Sequence, residues 1–200
     1  SSGNAYGLRA SGGITIDAVS ATGKVTATAG DSGQAYGLYA DGGSISITGG
    51  LAGSVAATAG AAYGLRASGG VTLASLSGSV AAEGDYDATG LRSDSSSISV
   101  IGALSGSVTA KSTSEDLGHA VGLYAATTIS IGEMSGTITA TSAATTVPGS
   151  AYGLYAGGNI NGGGDALLVS GNISARAYGP AYAIYSASGA VNLYVTGALE

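Results

Sequence analysis

Apolar and polar residues alternate with period two in short bursts along this chain, and the bursts recur in nearly the same words. The second copy reads AYGLYA, SISIT and GSVAATA between residues 35 and 59; the first reads AYGLRA, GITID and GKVTATA between residues 5 and 29. Period-two alternation predicts strands whose side chains point to opposite faces in turn. Turn signals (SGG, DGG, SGG, SDS) follow the first burst of successive copies. Short Gly- or Ser-bearing corners such as GGLAGS and LSGS separate the second burst from the third. No window carries a helical period with caps, so no helix is predicted.

Copies of A-x-G-L begin at Ala5, Ala35, Ala62, Ala88, Ala120 and Ala151, and a last one, AYAIYS with Ala183 in the glycine slot, begins at Ala181. The intervals are 30, 27, 26, 32, 31 and 30 residues, a period that signals stacked repeats. Three short strands in each 26–32-residue unit predict an all-β fold, a parallel β-helix (solenoid) of about seven coils, with residues 1–200 as one segment. From A-x-G-L to the Ala of the third burst the spacing holds at 20–24 residues, whereas the return to the next copy varies from 5 to 11. Length variation is therefore confined to one corner, and the stretches 111–119 and 141–150 are expected to be loops there. Stacking at about 4.8 Å per coil gives a rod on the order of 30 Å long. The chain opens without Met and closes within a coil, which suggests an excerpt of a longer repeat protein.

Periodicity also assigns faces. Leu8, Leu38, Leu65, Leu91, Leu123, Leu154 and Ile184 form an apolar column and are expected inside. Positions two away share that face in a regular strand, which places Tyr6, Tyr36, Tyr63, Thr89, Val121, Tyr152 and Tyr182 inside as well. Ile14/Ile16, Ile45/Ile47, Val71/Leu73, Ile98/Val100 and Ile129/Ile131 line the second strand's inner face; Val25, Val55, Val80, Val108, Ile138 and Ile173 line the third's. One outward column stands apart: Arg9, Tyr39, Arg66, Arg92, Tyr124, Tyr155 and Tyr185. The same parity puts Gly7, Gly37, Gly64, Gly90, Gly122 and Gly153 beside it, as a smooth stripe where another backbone or a ligand could approach. Tyr and Arg are enriched at the energetic centres of interfaces, so this ladder is the candidate interface. Glu83 and Lys111 hold the same slot in adjacent coils and are expected to face each other.

Charge adds exclusions. The net charge is −6, with Arg9, Lys24, Arg66, Arg92, Lys111 and Arg176 as the only Lys and Arg, too few and too scattered to neutralise a nucleic-acid backbone. No apolar run has the length of a membrane-spanning helix, and zero Cys excludes a disulfide scaffold. No catalytic, metal or cofactor residues are assigned. His119, the one histidine, lies in a loop beside Glu115 and Asp116; Asp85 and Asp87 share a hydrophilic corner. The segment 157–171 has the flavour of a Gly-Asp calcium repeat but does not recur in tandem. Thr26/Thr28 and Thr139/Thr141 raise an ice-binding alternative, interrupted in other coils by Glu83, Lys111 and Arg176.

The copies AYGLYADGGSISITGGLAGSVAATAG and AVGLYAATTISIGEMSGTITATSA resemble, as repeat grammar over the whole chain, the repetitive passenger regions of bacterial autotransporter-like surface proteins. That resemblance implies a right-handed helix, an extracellular or cell-surface location and a structural or adhesive role in a fibre or filament. It implies self-association, other surface proteins or glycans as partners, and no catalytic residues to carry over. A carbohydrate-binding or carbohydrate-active β-helix and an ice-binding solenoid are the alternatives.

Overall fold

The computed structural model describes residues 3–146, 148–161 and 166–200. Among these residues there are strands and turns but no helix, and every strand pairing is parallel. The chain is a β-solenoid of about six turns. The first-strand column runs Ala5–Ala10, Gln34–Ala40, then the ends of Ser54–Ala67 and Ser79–Ser93, then His119–Ala125, Ser150–Ala156 and Ala181–Ser186. Each pairs with the next in the register expected from A-x-G-L: Ala5 with Ala35, Leu8 with Leu38, Arg9 with Tyr39. At two of the short returns the third strand runs straight into the next first strand, so that Ser54–Ala67 and Ser79–Ser93 are single long strands joining two walls into one 12-stranded sheet. The second strands form a separate seven-stranded sheet.

Between the walls lies one continuous aliphatic core. Leu38, Leu65, Leu91, Leu123 and Leu154 are fully buried, facing the isoleucines and valines of the other two walls. A fourth buried row escaped the periodicity reading because it consists of single residues within the corners: Val19, Leu51, Leu76 and Leu104 bridge in succession and continue to Met134 and Val169. An isolated apolar residue between Gly and Ser has no alternation to betray it.

A second core is made of alanine. Ala35, Ala62, Ala88, Ala120 and Ala151 pack against Ala57, Ala82, Ala110 and Ala140 of the third strands. Ala against Ala lets the two walls close to a thin wedge. The alanines at the A-x-G-L start therefore point inward, although a strict period of two from Leu8 sets them on the outer face with Arg9 and Gly7. In the sixth coil the second wall is formed by Ile160, which bridges Ile129 and Val191, and by the strand Leu167–Val169. The Asn161 side-chain amide takes the place of a rung, accepting from the Ile131 N–H at 3.0 Å and donating to the Ile131 carbonyl at 2.7 Å.

Candidate functional site

The outer face of the first strand carries two columns of large side chains, not one. Tyr36 and Tyr39 stack with ring centroids 4.5 Å apart. Residues i and i+3 of a regular strand point to opposite faces, so the alternation slips by one position between them. The slip falls at Gly37: Leu38 is wholly buried, yet a Cβ on Gly37 would also point inward and overlap Val55 Cγ1. The same holds at Gly7 against Val25, Gly64 against Val80, Gly90 against Val108, Gly122 against Ile138 and Gly153 against Ile173. The glycines are thus not a smooth outer stripe; they make room for the third strand's Val or Ile. Tyr6, Tyr36, Tyr63, Tyr152 and Tyr182, placed in the core by strict period two, lie apart from the aliphatic core and beside the Arg/Tyr ladder; Tyr36 and Tyr63 are buried within this aromatic cluster, Tyr6 and Tyr152 are half-buried and Tyr182 is exposed.

The two columns make an aromatic face on which nine of the twelve tyrosines lie. Along the axis the rings stack: Tyr6 on Tyr36 at 5.2 Å, Tyr36 on Tyr63 at 5.2 Å, Tyr124 on Tyr155 at 5.0 Å, Tyr155 on Tyr185 at 5.2 Å. The arginines join the stack, with the Arg9 guanidinium 4.9 Å from the Tyr6 ring, Arg66 4.8 Å from Tyr63 and Arg92 4.5 Å from Tyr124, within the range of cation–π attraction. Stacked rings cover one another's faces, so solvent meets ring edges, hydroxyls and guanidinium edges.

The face is polarised along the rod. In the first four coils it is clamped by acids from the adjoining corner. Arg9 pairs with Asp41 at 2.9 Å, and Arg66 and Arg92 share Asp94 at 3.0 and 2.6 Å. The Tyr39 hydroxyl donates to Asp41 at 2.8 Å, and this bond to the carboxylate, with some burial, pushes the phenol up to about 12. The hydrogen bonds from Tyr39 and Arg9 hold Asp41 below the ordinary carboxyl range. Partial burial disfavours the Asp94 anion, but the bonds from Arg92 and Arg66 outweigh it and its carboxyl also lies low. Burial raises Tyr36, Tyr63 and Tyr152. In the last three coils the corner positions are Ala126, Gly157 and Ala187, so the slots that hold Asp41 and Asp94 in the earlier coils carry no carboxylate there.

The remaining sequence candidates are dispersed. His119 is exposed, and its Nδ1 lies 2.7 Å from Ser150 Oγ on the next rung. Asp87 occupies the same slot on the preceding rung, but among the described residues no ion pair joins it to His119. Asp85 accepts from Thr113 and borders a shallow cleft of ≈ 220 Å³ with Asp31 and Glu83. Glu83 is paired with Lys111 at 2.8 Å on adjacent rungs, as the repeat alignment requires. Among the described residues no group of three or more His, Asp or Glu is placed to hold a metal ion. Part of the 157–171 segment, residues 162–165, lies outside the described residues. The outward Thr26 and Thr28 align with Ala56 and Thr58, then Ala81 and Glu83.

These features define a β-solenoid repeat protein with one long aromatic and cationic face. Compared with known proteins, the chain matches no family model, no curated protein and no solved structure.

Proposed function

We propose that the chain is a rigid, non-catalytic segment of a secreted or cell-surface bacterial fibre, acting as stalk or adhesin. The observation that supports this reading is the first strand's constant register, which stacks its Ala and its Leu or Ile columns from the first coil to the last. Each coil repeats its neighbour's work, which builds length and stiffness instead of a single reactive site. Chemistry-bearing residues are spread along the rod, as a scaffold allows and an active site does not. On this reading the face of Arg9, Tyr39, Arg66, Arg92, Tyr124, Tyr155 and Tyr185 is where partners dock, be they neighbouring surface proteins or glycans. The interrupted threonine columns give the ice-binding alternative no matching observation.

Two experiments test it. Protease treatment of intact producing cells should remove the segment while leaving cytoplasmic markers whole; protection of the segment would place it inside and end the reading. Arg66→Glu with Tyr39→Ser and Tyr124→Ser should weaken adhesion of a folded protein at least tenfold. Unchanged adhesion would remove this face from the docking role.

A further inference from the structure

The tyrosine column beside the Arg/Tyr ladder is interrupted midway along the rod. Tyr36 stacks on Tyr63, but the next two rungs carry Thr89 and Val121, and a ring returns only at Tyr152. Three rung steps set Tyr63 and Tyr152 roughly 14 Å apart along the axis, whereas stacked neighbours in the column stand 5.2 Å apart. The row therefore skips two rings. The two positions are not equally open. Thr89 is 4% exposed, closed over by its neighbours, while Val121 is half-buried. Tyr152, also half-buried, stacks on Tyr182 on one side. On its other side the column continues with Val121, which has no ring to set against it.

Polar groups rim this gap on both sides. Ala61 packs with Tyr63, so its column, continued by Asp87, His119 and Ser150, runs alongside the tyrosines. The Arg/Tyr ladder brings Arg92 and Tyr124 to the other rim. Among the described residues no hydrogen bond or ion pair engages the Asp87 carboxylate or the Tyr124 hydroxyl. Arg92 bonds Asp94 through Nε, which leaves its two Nη groups as donors. A ring-wide gap with an aromatic wall and unused donors and acceptors at its rim suits a ring with an apolar face and a hydroxylated edge. That is the chemistry of a sugar. An aromatic side chain in the same place would leave the rim groups without partners. Charge narrows the class further. Arg66 and Arg92 share Asp94, and Asp87 balances the remaining cation, so the gap favours neither acidic nor basic sugars.

We propose that the rung of Val121 is a binding site for one neutral, hexose-type ring of a glycan, seated against Tyr152 in the place that a tyrosine takes elsewhere in the column. Asp87, Arg92 and Tyr124 are the hydrogen-bond partners of its hydroxyls. The inference rests on the reading of this face as a docking surface and names what docks there.

The test fills the gap with the repeat's own residue. Val121→Tyr supplies the side chain that the column carries at Tyr36, Tyr63 and Tyr152, so the β circular dichroism spectrum should be unchanged. On an array of neutral, sialylated and sulfated oligosaccharides, the wild type should bind neutral members. Val121→Tyr and, separately, Asp87→Ala should each weaken that binding about tenfold or more. An array with no neutral member bound, or neutral binding untouched by both variants, overturns the proposal. If Val121→Tyr adheres like wild type while Arg66→Glu with Tyr39→Ser and Tyr124→Ser does not, the sugar site falls and the docking face stands. Adhesion that is lost in Val121→Tyr yet unaffected by periodate oxidation of the target's sugars also overturns it, because a protein side chain would then fill the gap.

Discussion

A single glycine per coil decides how the first strand is built. Gly64 lets the backbone slip phase so that Leu65 faces inward while Tyr63 and Arg66 share the outer face. An added Cβ would overlap Val80 Cγ1 and lie 2.6 Å from the Gly90 carbonyl oxygen. Gly64→Ala should therefore cost about 1–3 kcal/mol through overpacking, read by urea denaturation, while Gly12→Ala, where a Cβ meets nothing within 4 Å, should be near neutral. The slip was hidden in the sequence because a strict period of two carried Leu8's inward assignment to Tyr6. The visible cue was Gly itself, recurring within a strand where it weakens pairing and often marks an irregularity. Tyr39 supplies a pH prediction at the same scale. Its folded value, about 12, exceeds the ordinary value of 10.0, so its contribution is intact below about pH 10 and is lost as pH rises toward 12. The linked Asp41 has a lowered value, so its contribution, present above the ordinary carboxyl range, is lost as pH falls through its folded value. Phenolate absorbance should show a late-titrating group, because Tyr36, Tyr63 and Tyr152 are raised as well as Tyr39, and Asp41→Asn should move one tyrosine, Tyr39, out of that group toward the ordinary value.

At the scale of strands, the columns that repeat most faithfully carry the stability. Leu91 is fully buried between Leu65 and Leu123. Leu91→Asp should cost several kcal/mol, because it buries a carboxylate with no partner. Thr145→Ala, in the exposed return loop, should stay within about 0.5 kcal/mol. Equal losses in chemical denaturation would mean that the first strand is not the wall described. The Glu83–Lys111 pair joins two third strands, but both side chains are about half exposed (50% and 51%). Its coupling in a double-mutant cycle should be at most about 1 kcal/mol and should fade in high salt. The three walls and this pair were legible because each rests on alternation repeated in every coil. The row of Val19, Leu51, Leu76 and Leu104 was not, because one buried residue per corner has no period. The Asn161 rung was not legible either, since an amide standing in for a peptide group leaves no mark on hydropathy.

At the scale of the whole molecule, each coil touches only its neighbours, so stability accumulates along the axis as a sum of coil and interface terms. An interior coil has two such interfaces and an end coil has one. The exposure gradient follows that count: Leu38, Leu65, Leu91, Leu123 and Leu154 are fully buried, whereas Leu8 on the first rung is 44% exposed and Ile184 on the last is only partly covered. Opening should therefore begin at the ends and move inward, one rung at a time. The joined strands Ser54–Ala67 and Ser79–Ser93, whose pairing ties two walls together with one register shift between Ala59 and Ala61, should open last. Amide hydrogen exchange should show protection highest there and falling toward both Ala5–Ala10 and Ala181–Ser186. Uniform protection in dilute solution would mean that the rod unfolds as one cooperative block, and would sink the picture of independent coils.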